Sequence, residues 1–214
     1  MKSHPKVNIL YSGHLDEIFT NYLTSDSFKE STFFTQHKKA KVLTQEEIIE
    51  KHKFFHKEWQ DREAAIFEIM QSASGLQFTR NTIDVYLVRV AVRTFANPIV
   101  ITASISTEAF FSLLIHELLH RLLKEGLGNN LKKLYSVIES LYPNESASTI
   151  IHIPIYALQF IILESVFSDA KERIILEKNQ AENFKNSDYK NAIEIVERIG
   201  PEKILEVLKR KMAK

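Results

Sequence analysis

Residues 106–124, STEAFFSLLIHELLHRLLK, decide how this chain is organised. The run reads as one helix. Ser106 is suited to cap it, Glu108 sits in the first turn, and Gly126 and Gly128 are expected to stop it. Between these ends Phe110, Phe111, Leu114, Ile115, Leu118, Leu119 and Leu122 make it apolar nearly all round, and such a helix is buried. His116, Glu117 and His120 are then costly unless something satisfies them. The spacing names a candidate. Residues four apart share one helical face, so His116 and His120 can offer two imidazole nitrogens to one ion, for which Zn²⁺ is the usual occupant. Glu117 is rotated about 100° from His116. It would lie beside the ion, placed to take a proton from a water held there.

The pattern His116-Glu117-Leu118-Leu119-His120 resembles the signature of the zincin metallopeptidases. The resemblance covers these five residues strictly and implies a zinc-dependent hydrolase, most simply a peptidase. It also implies a small sheet before the helix, with an edge strand that takes the substrate as an added strand. The candidate for that edge is Ile99 to Ala103; an ordinary packed hairpin is the alternative. The metzincin extension is excluded, because Leu123 and Gly126 stand where its glycine and last histidine would be.

A catalytic zinc has three protein ligands and one open position. Two candidates follow His120 on one apolar helix: His152 and Glu164. A connecting helix of about 12 residues, roughly 18 Å, running back along the first one would leave His152 level with the histidine pair and Glu164 roughly 18 Å further on. The gluzincin resemblance favours Glu164, followed by Asp169, although that aspartate lies five residues on where the family spacing is four. Both alternatives stay open, with the unused residue as a carboxylate or core partner of the ligands. Tyr156 and Gln159 share the face of His152, and Tyr156 is a candidate to stabilise an oxyanion.

The 214 residues carry a net charge of +1 and no cysteine. Disulfides, cysteine metal sites and a cysteine nucleophile are excluded, and no global pull toward nucleic acid or membrane is expected. The N-terminus lacks a signal-peptide core, and the apolar run Ile150 to Phe167 is broken by His152, Pro154, Gln159 and Glu164, so it reads as a buried helix of a cytoplasmic protein.

The rest of the chain reads as follows. A short element and a helix occupy 7–24, with His14 as a surface or cap residue at the helix start. A polar, Lys-rich stretch anchored by Phe28, Phe33 and Phe34 follows. A long helix runs from a capping box at Thr44 to about Ser72. His52 and His56 within it, though four apart, read as a solvated face. Strands are expected over 82–94 and 99–102 around the Asn97-Pro98 turn. The fold class is α+β, mainly helical: a small sheet, the histidine helix, a core helix, and a helical tail broken at Gly200-Pro201. Residues 1–169 form the expected metallohydrolase domain, with 1–43 as a candidate cover. Residues 170–214 are an extension suited to a cover, a homo-oligomer contact or a partner site. The expected partner is a peptide or protein substrate; a non-peptide amide or ester would suit the same chemistry. The competing reading is a zinc-binding regulatory or toxin-associated module without peptidase activity.

Overall fold

A computed structural model describes residues 4–25, 42–91, 94–183 and 187–212. It is an α+β protein, mainly helical, with one mixed sheet of four strands among the described residues. The polar stretch after Ser25, with Phe28, Phe33 and Phe34, lies outside the described residues, as does most of the candidate cover beyond its first strand and helix. The chain forms two compact units, Met1–Glu63 with Arg80–Glu117, and Ala64–Thr79 with Leu118–Lys214. Residues 170–214, set apart by sequence, therefore share a unit with the helix before them.

In the first unit, β1 (Lys6–Tyr11) leads through Ser12, which caps its successor by accepting from the Leu15 amide, into α1 (Gly13–Thr24). His14 is exposed there, as expected. The capping box at Thr44 and Glu47 forms and opens α2 (Gln45–Gln60). The single helix expected to Ser72 is instead two, broken at Asp61 and Arg62, and α3 (Glu63–Ser74) follows. No glycine or proline marks this break. Just past it, one Glu63 carboxylate oxygen accepts from the Val7 amide at 2.7 Å and the Trp59 indole at 3.0 Å, which ties α3 to β1.

The sheet order is β1, β2 (Thr82–Val88), β4 (Ile99–Thr102), β3 (Phe95–Ala96). The β1–β2 and β2–β4 pairs are parallel, and β3–β4 is a hairpin across Asn97-Pro98. The strand expected to reach Thr94 ends at Val88 because buried Asp16 takes the next amide and side chain, Arg89 N at 2.6 Å and Nε at 2.5 Å. Val7, Ile9, Ile83, Val85, Leu87, Ile99 and Ile101 alternate onto one buried face. Val88 and Val100, on the other, pack with Leu15 and Phe19. Of the two readings of Ile99 to Ala103 the structure gives the packed hairpin: β4 lies between β2 and β3, with β3 pairing Ile99 and Val100. One expectation is corrected here. The His52 face is not a solvated one: half-buried His52 donates from Nε2 to the Ile9 carbonyl at 2.7 Å, on the outer side of β1.

The histidine helix is α4 (Thr107–Leu127). Ser106 caps it through the Ala109 amide at 3.2 Å. Phe110 stacks on Phe55 at 4.1 Å between ring centroids, and Phe111 on Trp59 at 6.2 Å. Gly126 does not end the helix but lies inside it. A Cβ there would stand 2.9 Å from Leu76 Cβ, so the glycine permits a close approach. Gly128, at φ +51°, makes the actual stop.

In the second unit α5 (Leu131–Leu141) precedes α6 (Ala147–Val166), capped by Ser146. Helix α6 is long and apolar enough to cross a membrane by length and composition, and it is mostly buried inside the protein. It packs with α5, α7 (Ala170–Asn183), α8 (Ser187–Ile199) and α9 (Pro201–Met212), and Gly200 at φ +93° separates the last two.

Candidate metal centre

Helix α4 stacks His116 and His120 one turn apart, and α6 supplies His152. One ring nitrogen of each lies within 4.8 Å of the others. His116 and His152 are buried, and His120 is partly buried. The His120 and His152 rings meet edge to face at 5.1 Å. Three imidazoles are a donor set that suits zinc, so the residues fit such an ion.

The states of the His152 and His120 rings follow from their surroundings. His152 Nδ1 lies 2.7 Å from the Ser148 carbonyl. A carbonyl only accepts, so Nδ1 carries the proton and Nε2 presents its lone pair to an ion. Burial lowers the His152 pKa; the Ser148 carbonyl and the Asp188 charge partly oppose it. Burial, aided by His152, lowers that of His120 to about 4. At pH 7 His120 is therefore neutral and ready to bind a cation without first losing a proton.

Glu117, also buried, flanks the cluster on α4. Burial raises its pKa, and a hydrogen bond from Thr94 pulls it back in part. Thr94 comes from the segment before β3, and no sequence pattern pointed to it. Tyr156 is buried with its ring 6.1 Å from that of His152. The residue sequence reasoning missed on the other side is Tyr189, at the start of α8, whose ring centroid lies 4.3 Å from that of His152. Glu164 is not part of the cluster. It is exposed, three turns further along α6 than His152, roughly 18 Å. Neither the alternative ligand role nor a supporting role to the histidines is available to it from there.

Family models, curated proteins and solved structures offer no match to the chain.

The histidine states imply a pH dependence for the metal-free protein. His120 takes up a proton near pH 6.5 when unfolded but only near 4 when folded. Between those values the unfolded state binds more protons, so stability rises with pH and is lost as pH falls through the window, by about 3 kcal/mol from His120. His152 acts in the same direction and Glu117 in the opposite one. Thermal melts in chelator from pH 7 to pH 4 should fall more steeply for wild type than for His120→Asn. Parallel curves would refute the assignment.

Proposed function

We propose that this chain is a zinc-dependent hydrolase, most simply a metallopeptidase. The observation that carries the reading is the convergence of His116, His120 and His152 beside the buried carboxylate of Glu117. The three histidines would hold the ion. Bound there, zinc would polarise a scissile carbonyl and acidify water. Glu117 accepts the proton of the attacking water at its carboxylate and delivers it to the departing amine. Its raised pKa makes it a stronger base than an ordinary glutamate, and the Thr94 hydroxyl orients it. Tyr156, on the face of His152, donates to the oxygen that gains charge as the carbonyl is attacked.

The test is hydrolysis of a mixed peptide library by the full chain, purified without added metal, then treated with chelator and reloaded with zinc. Cleavage that disappears with chelator and returns with zinc is the expected result. Stoichiometric zinc without cleavage of peptides, esters or other amides would overturn the hydrolase reading and leave a metal-binding module.

A further inference from the structure

The third histidine is held by more than its own helix. Helix α8 begins at Ser187, and its first residues are tied to the first turn of α6 by hydrogen bonds. The Ser146 hydroxyl donates to an Asp188 carboxylate oxygen at 2.8 Å, and the Thr149 hydroxyl to the Asp188 carbonyl at 3.1 Å. Asn191 donates to the Glu145 carboxylate at 3.1 Å. These ties leave the Tyr189 ring against His152, its centroid 4.3 Å away and the planes tilted by 57°. His152 Nδ1 also donates to the Ser148 carbonyl at 2.7 Å, and the His120 and Tyr156 rings lie 5.1 and 6.1 Å from its own.

We propose that Asp188 and Tyr189 are positioning residues for the third metal ligand: Asp188 docks the start of α8 on α6, and the Tyr189 ring fixes the orientation of the His152 imidazole. The proposal rests on the metal-binding reading above, and it gives the C-terminal helices a role in the site. A histidine free to rotate about χ1 and χ2 must be ordered when an ion binds, whereas one already packed need not be. A ring that loses its packing partner therefore binds metal more weakly with its donor atom unchanged. Outer partners of metal-bound histidines are commonly worth 10- to 100-fold in affinity. The packing role belongs to the aromatic ring and not to the phenol oxygen, which separates Tyr189 from a hydroxyl ligand or proton donor.

The experiment is Co²⁺ titration of the full chain, followed by the visible ligand-field bands and by competition with Zn²⁺. Wild type should bind one Co²⁺ with a tetrahedral spectrum. Tyr189→Ala and Asp188→Ala should each bind about 10- to 100-fold more weakly, with shifted or weakened bands. Tyr189→Phe should restore wild-type affinity and spectrum. If Tyr189→Ala fails to fold, Tyr189→Leu keeps the bulk without the aromatic face and should show the same weakening. Variants equal to wild type in affinity and spectrum would overturn the positioning role and leave the metal site standing. Loss of affinity in Tyr189→Phe would overturn it in favour of a hydroxyl role. A wild-type chain that binds no Co²⁺ or Zn²⁺ would remove both readings at once.

Discussion

His152→Ala is expected to lower zinc affinity by more than about 100-fold, while Glu164→Ala leaves it unchanged. The argument starts from the donor set. His116, His120 and His152 bring their nitrogens within 4.8 Å of one another, and Glu164 is exposed elsewhere on the same helix. Apparent zinc binding energies of about 10 kcal/mol or more, shared among the ligands, make each worth roughly 3 kcal/mol. That is more than two powers of ten in the dissociation constant. The substitution also removes a ring packed against His120, Tyr156 and Tyr189, so melting temperatures must be read beside the titrations. Metal content measured by mass spectrometry and competition with a chromophoric chelator gives the affinity. Equal loss in Glu164→Ala, or retention of zinc in a folded His152→Ala, would contradict the three-histidine site.

Glu117→Gln is expected to keep the metal and lose hydrolysis, with kcat down by about 10²- to 10⁴-fold, the usual worth of a general base. The amide has nearly the same shape as the carboxylate and still accepts the Thr94 hydrogen bond. It cannot take a proton from water. Because burial disfavours the glutamate's charge, removing that charge should also leave the metal-free protein as stable as wild type or more so. The three readouts separate the roles of this residue. Loss of zinc would make Glu117 a ligand, loss of stability would make it a structural residue, and full activity would end the proposed mechanism.

Much of this site was legible in the residue order because a helix is a local object. The pair His116 and His120 needs only the 3.6-residue turn to share a face, and the buried setting follows from the apolar residues around it. The caps at Ser106 and Thr44 are equally local, side chains that meet backbone groups three positions away, and so is the stop at Gly128. Gly126 was misread for the opposite reason. Whether a glycine ends a helix or admits a neighbour depends on what packs there, and Leu76 is a distant part of the chain.

The sequence by itself determined the class of the fold, its principal helices, the histidine pair and the buried glutamate between them. It also left two candidates for a third donor, because so few polar groups stand in the apolar stretch of α6. Tertiary structure alone set His152, and not Glu164, beside the histidine pair, because it fixes which turn of α6 meets His120. It also paired Ile99 and Val100 on both sides, broke the long helix after Gln60, and set Thr94 and Tyr189 beside Glu117 and His152. Each of these depends on groups far apart in the chain meeting through packing and hydrogen bonds. No periodicity within one segment carries that information.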